Sequence, residues 1–187
     1  MQASHIGIAL VHYPVYNKHR ELVTTAVTNL DIHDISRSCK TYGLSKYFLV
    51  TPSKEQHQLL AKIIGHWEKG WGSTYNPDRK EALSIAKAVS SIAEAVHEMQ
   101  TGFDNPVRVI ATGARPRANC ISFESLRSEL KDSSSPVLIL LGTGWGLSDE
   151  VFEQCSDVLE PIETGSGYNH LSVRSAASIM LDRLLCR

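Results

Sequence analysis

Glycines at alternate positions close the stretch LILLGTGWGLSDE, where an apolar run from Leu138 leads into Gly142, Gly144 and Gly146 and then Ser148. A strand ending in such a loop lets a ligand come close to the backbone, because glycine carries no Cβ and reaches positive φ. Two loops of like composition also follow apolar runs, ATGARPR from Ala111 and PIETGSGYNHLS from Pro161. Parallel α/β sheets bind ligands at the carboxyl ends of their strands, so three such loops can converge on one ligand. The chemistry is not that of a nucleoside triphosphate loop, since no lysine follows the last glycine as GxxxxGK[ST] requires. Nor is it a dinucleotide fingerprint, because the spacing is GxGxG and the loop follows the fourth apolar run. A nicotinamide-dependent oxidoreductase is thereby disfavoured.

The elements that must hold these loops are readable as short apolar runs: IGIALV from Ile6, YFLV from Tyr47, VRVIA from Val107, VLILL from Val137 and a weaker DVLEPI from Asp157. Continuous rather than alternating hydrophobicity in the second and fourth predicts strands covered on both faces. Between the runs, Asp31 is predicted to cap a helix bearing Ile32, Ile35 and Cys39, with Gly43 stopping it. Ser53-Lys54-Glu55-Gln56 is a capping-box pattern before Leu59, Leu60, Ile63, Ile64 and Trp67. Asn76-Pro77-Asp78 predicts the start of one long helix running through Leu83, Ala86, Val89, Ile92 and Val96 to Met99. Ser122 is predicted to cap a helix through Leu130, and the last helix covers about Ser172 to Leu185. This alternation predicts an α/β fold, a mostly parallel sheet with helices on both faces. The aperiodic stretch GHWEKGWGSTYNPDR from Gly65 reads as an exposed binding loop or as a connection whose aromatics pack on the core.

Composition limits the class. At 187 residues, 42% hydrophobic and 21% charged, the chain suits one globular domain over residues 1–187, and its composition argues against disorder. No apolar run is long enough for a membrane span, and the opening MQASH lacks a basic region followed by an apolar one, so a cytoplasmic protein is expected. Cys39, Cys120, Cys155 and Cys186 are far apart and form no CxxC pair, so neither a metal site nor a disulfide framework is expected. The net charge is −1, yet residues 1–100 carry 11 Lys+Arg against 9 Asp+Glu and residues 101–187 carry 8 against 11. Any surface for nucleic acid must therefore be local. Lys18, His19, Arg20, Arg115 and Arg117 are the basic residues singled out for phosphate contacts.

LLGTGWGLS, followed by PIETGSGYNHLSVRSAASIMLDRL, resembles the second and third motifs of the SPOUT superfamily of S-adenosylmethionine-dependent RNA methyltransferases. TNLDIHDISRSCKTYGLSKYFLV from Thr28 resembles the first motif of its ribose 2′-O-methyltransferase branch, an Asn and an Arg on a helix followed by a glycine and a strand. The whole chain most resembles a small bacterial SPOUT family close to the tRNA guanine-N1 methyltransferase group. That resemblance implies a deep trefoil knot in the C-terminal part of the α/β fold and a homodimer with its active site at the subunit interface. It implies S-adenosylmethionine as cofactor and tRNA or rRNA as substrate, methylated on a base nitrogen or a ribose 2′-oxygen.

The resemblance places adenine and ribose among Thr112, Gly113 and Ala114, among Leu141, Gly142, Thr143, Gly144, Trp145 and Gly146, and among Ile162, Glu163, Thr164 and Gly165, with Leu171 near the last helix. Trp145 either stacks on the ligand or packs in the core. Asn29 and Arg37 fall where the ribose enzymes place their motif Asn and catalytic Arg. An acceptor hydroxyl or ring nitrogen needs its proton taken, and Asp31, His33 and His170 are the candidate bases. The third motif departs from the ribose branch, reading Asn169-His170-Leu171, and the second-motif loop is one residue shorter, so the acceptor atom stays open. The alternative is a SPOUT-like protein that binds cofactor or RNA without catalysis.

Overall fold

The computed structural model describes residues 3–186. Six strands form one sheet: β1 (Ile6–Val11), β4 (Lys46–Val50), β5 (Ala86–Val89), β6 (Arg108–Ala111), β7 (Val137–Gly142) and β8 (Asp157–Val158), in the spatial order β5-β4-β1-β7-β6-β8. Every neighbouring pair is parallel. A separate antiparallel hairpin joins β2 (Val15–Tyr16) to β3 (Leu22–Val23).

Central β1 shows why the sequence folds in layers. Its Ile6, Ile8 and Leu10 lie in a core shared with α1 (Asn29–Thr41), α6 (Phe123–Asp132) and α8 (Val173–Leu185). Its Ala9 and Val11 belong to a second core with α5 (Ile92–Gln100) and α7 (Asp149–Glu153). Successive side chains of a strand point to opposite faces, so a strand apolar throughout requires helices on both. The predicted α/β class and all five predicted strands are present, although DVLEPI contributes only the two residues of β8.

Two helix predictions need correction. Asp31 does not cap α1; Thr28 does, its hydroxyl oxygen accepting from the Asp31 amide at 3.2 Å while its O–H donates to the Asp31 carboxylate at 2.6 Å. Asp31 is instead the third helical residue, a favoured site for an acid near the positive end of the helix dipole. The long helix predicted from Pro77 to Met99 is two helices with a strand between them: α4 (Pro77–Leu83), β5 and α5. Its break is marked by a capped helix start, Ser91 accepting from the Glu94 amide while the Glu94 carboxylate accepts from the Ser90 amide one residue before the cap.

Helices α1 and α8 are tied side by side. The Ser38 and Ser178 hydroxyls meet at 2.8 Å and the Tyr42 hydroxyl donates to Asp182 at 2.9 Å. Arg174 donates to Asp31 at 2.9 Å and lies 3.4 Å from Asp34. Asp31 is almost fully buried, so removing its cation strands a carboxylate with the Thr28 hydroxyl alone. Arg174→Ala is expected to lower unfolding stability by about 3 kcal/mol, with Asp31→Asn in the same chain restoring most of it. Urea unfolding of the two variants checks this.

Candidate functional site

The three glycine-bearing loops leave β7, β6 and β8, which are neighbours in the sheet, and all leave from the same edge. Register holds them level: Ala111 sits opposite both Leu140 and Val158. The Thr112 amide and hydroxyl both donate to the Leu140 carbonyl, and the Leu159 amide donates to Ala111. Asn169 then donates its side-chain amide to the Ala114 carbonyl at 2.8 Å, joining the third loop to the first. All three loops are thus brought to one place.

Within them the predicted residues divide by environment. Thr112, Leu141 and Ile162 are buried and shape the loops from below. Gly113, Gly142, Thr143 and Gly146 are half-buried, while Ala114, Gly144, Trp145, Glu163, Thr164, Gly165, His170 and Leu171 are exposed. Trp145 is 63% exposed, which excludes the core-packed alternative for its indole. A cleft of about 380 Å³ between the first and third loops is lined by Arg117, Cys120, Glu163 and Arg183, among others.

The glycines serve different ends. A Cβ on Gly142 would lie 2.8 Å from the Leu147 amide nitrogen, and one on Gly144 2.9 Å from the Tyr16 carbonyl oxygen. Gly142 is needed because the loop turns back on itself at Leu147, and Gly144 because the loop is stitched to the hairpin: the Trp145 amide donates to Tyr16, and the Tyr16 amide to Gly146, each at 2.9 Å. Gly146 (φ +104°) and Gly165 (φ +74°) also require positive φ, but face no protein atom within 4 Å. Open space before a left-handed glycine is what a ligand lying against the backbone needs.

Beneath the second loop runs a hydrogen-bonded chain. Thr143 donates its hydroxyl to the Val11 carbonyl at 2.9 Å, which leaves Thr25 to donate to Thr143 at 2.5 Å and His12 Nδ1–H to donate to Thr25 at 3.0 Å. His12 is fully buried with Nε2 unpartnered, and burial pushes its pKa down to about 4 against the opposing pull of Asp31. The folded protein therefore holds a neutral imidazole that protonates in the unfolded chain near pH 6.5. Between those values the unfolded state binds the extra proton, so stability is lost as pH falls from about 6.5 towards 4, by on the order of 3 kcal/mol for this group. Urea titrations across that window check this, and His12→Asn should flatten the dependence.

Asn29 and Arg37 lie elsewhere, on the exposed side of α1. They line a groove of about 540 Å³ closed by α2 (Lys54–Glu68) and α4, and no residue of the three loops lines it. Also in the groove is His33, whose imidazole is held below its usual pKa by burial and by the Arg79 and Arg37 guanidiniums, against Asp34. Of the other candidate bases, Asp31 has both carboxylate oxygens engaged by Arg174 and Thr28, and exposed His170 stacks at a tilt beside Tyr168, 5.7 Å between rings. Sequence reasoning missed Lys62, His66, Trp67 and Arg79 as companions of Arg37. The signal for the last three was the density of aromatic and basic residues after Gly65.

The basic residues singled out for RNA are partly neutralised. Arg20 and Arg117 converge on Asp149 at 2.6 and 2.8 Å, and the Arg117 guanidinium lies 3.5 Å above the Phe152 ring. Among the described residues, no helix is long and apolar enough to cross a membrane.

A parallel sheet with three glycine-bearing loops at adjacent strand ends fits the α/β fold that the motif resemblance implies. A family described as SAM-dependent RNA methyltransferase matches residues 5–186, and the chain belongs to that family. Over 177 residues, 95% of this chain, it is 46% identical to a tRNA (guanine-N(1)-)-methyltransferase from Oleidesulfovibrio alaskensis, but spans only 41% of that protein's length. Its fold is similar to a probable methyltransferase from Bordetella pertussis, with a TM-score of 0.66 at 19% identity over 97% of this chain and 93% of that one. It is also similar to the SpoU methyltransferase AviRb from Streptomyces viridochromogenes, solved in complex with AdoMet, with a TM-score of 0.57 at 16% identity over 96% of this chain and 56% of that one. The fold class is that of the SPOUT methyltransferases.

Proposed function

We propose that this protein is an S-adenosylmethionine-dependent methyltransferase that acts on tRNA in the cytoplasm. The observation carrying this reading is the convergence of three loops at the adjacent ends of β7, β6 and β8, with Gly146 and Gly165 in positive φ before open space. The backbone of residues 112–114, 141–146 and 162–165 would hold the cofactor, with exposed Trp145 and Leu171 covering its apolar surfaces. S-adenosylmethionine supplies an electrophilic methyl group on a sulfonium. Arg37 binds the acceptor nucleotide's phosphate or polarises its nucleophilic atom, and Asn29 orients the acceptor beside it. His170, on the third loop, is the base that takes the acceptor's proton, and Asp31 acts as a positioning residue through its bonds to Thr28 and Arg174.

The groove that holds Arg37 is lined by no residue of the cofactor loops, which supports a homodimer whose active site combines the loops of one copy with α1 of the other. Leu30 and Leu171, 58% and 44% exposed beside the helix starts clamped by Asp31 and Arg174, are apolar surface for such an interface. A C-terminal trefoil knot is part of the same proposal. The guanine-N1 name belongs to a relative more than twice as long as the matched segment, so the acceptor atom is assigned by experiment. Incubation with methyl-labelled S-adenosylmethionine and total tRNA, followed by nucleoside mass spectrometry, should give a labelled 2′-O-methyl or N-methyl nucleoside. Cofactor binding without label in any RNA would favour the non-catalytic alternative.

A further inference from the structure

The groove beside Arg37 continues onto a surface that the methyl-transfer reading does not use. Its walls bring Arg37, Lys62 and Arg79 together with His33, His66 and Trp67. Among the described residues Asp34 is the one carboxylate lining it, and that group faces Arg174 at 3.4 Å. Lys62 and Arg37 form no ion pair among the described residues. Arg79 lies over the Trp67 ring, 4.9 Å from its centroid, with a buried Nε that has no hydrogen-bond partner. His33 and His66 both meet the same ring edge-on, at 5.6 and 5.3 Å.

From this groove the chain passes into α3 (Gly72–Tyr75), packed so tightly that a Cβ on Gly72 would lie 2.8 Å from the Trp67 ring. Trp71, the residue before this helix, and Tyr75 at its end stack on each other, 4.6 Å apart and 22° from coplanar, each about 70% exposed. Two large rings ordered against each other in solvent form an apolar platform on the segment that joins α2 and α4, the helices carrying Lys62 and Arg79. That pairing suits a polyanion whose units carry π-faces, because phosphates take the cations and bases take the rings.

We propose that the α2–α3–α4 surface binds a single-stranded stretch of the substrate RNA flanking the target nucleotide, with phosphates along Arg37, Lys62 and Arg79 and a base stacked on the Trp71–Tyr75 pair. The choice of RNA rests on the tRNA-methyltransferase reading. The surface is local, which reconciles RNA binding with a net charge of −1.

The test measures binding of labelled total tRNA to the full chain over a series of NaCl concentrations, for wild type, Trp71→Ala and Lys62→Ala. Trp71→Ala should weaken binding about tenfold. Lys62→Ala should lower the slope of log affinity against log salt by about one. S-adenosylmethionine affinity and thermal unfolding should not move in either variant. Wild-type affinity and slope in both variants would overturn the proposal. So would a loss of dimer in sedimentation with tRNA affinity per subunit unchanged, since the platform would then join two copies of the chain. Variants that lose RNA affinity in a protein that transfers no methyl group would uphold this surface and defeat the methyltransferase reading. Methyl transfer with undiminished RNA affinity would do the reverse.

Discussion

Arg37→Ala is expected to lower methyl transfer to tRNA by about 100- to 1000-fold while leaving S-adenosylmethionine affinity within twofold of wild type. The magnitude is that of removing one well-placed donor from a site of developing charge. The separation of effects follows from geometry: Arg37 lies on the exposed side of α1 and makes no side-chain hydrogen bond or ion pair among the described residues. Its loss therefore strands no buried partner, and the fold should be indifferent to it. Single-turnover transfer and calorimetric titration of the same preparation check the two halves. Unchanged transfer would remove Arg37 from the mechanism, whereas an equal loss of cofactor affinity would mean that the groove and the loops are not distinct.

Gly144→Val should be the most damaging change in the loops, because two penalties coincide. At φ +58° a β-branched residue is strained, and its Cβ would meet the Tyr16 carbonyl at 2.9 Å and the Thr25 methyl at 3.3 Å. Together these should lower unfolding stability by on the order of 3 kcal/mol and lift the loop from the hairpin. Cofactor affinity should fall more than tenfold as a result. Gly165→Ala is the contrasting case. It has the strain of φ +74° but no protein atom within 4 Å of the new methyl, so about 1–2 kcal/mol of stability is at stake. If the open space belongs to the cofactor, affinity falls tenfold or more in a protein that remains folded. Denaturant unfolding and titration of both variants separate a structural glycine from a ligand-facing one.

The strands that hold the site were legible where burial on both faces made long apolar runs, as in Ile6–Val11 and Val137–Gly142. Strand β5 was hidden because the apolar spacing from Leu83 to Met99 also fits a helix, and only Ser91 and Glu94, a helix start inside that stretch, signalled the break. The hairpin strands have two residues each, below the length at which alternation carries information. Glycine spacing located the three loops but not the task of each glycine, since Gly144 answers to Tyr16 and Gly165 to open space. Thr28 displaced Asp31 as the cap because either residue type can accept an amide there, and the choice turns on Arg174, which meets Asp31 from 143 positions along the chain. Groove residues on α1, α2 and α4 are likewise joined only by packing.

The central claim is that these loops hold S-adenosylmethionine, and equilibrium titration of the purified protein with S-adenosylmethionine and S-adenosylhomocysteine, with NADH as control, tests it most directly. Saturable binding of both sulfur compounds near one per subunit, with no binding of NADH, is the predicted result. Absence of saturable binding by either, alone and again with total tRNA present, would contradict it.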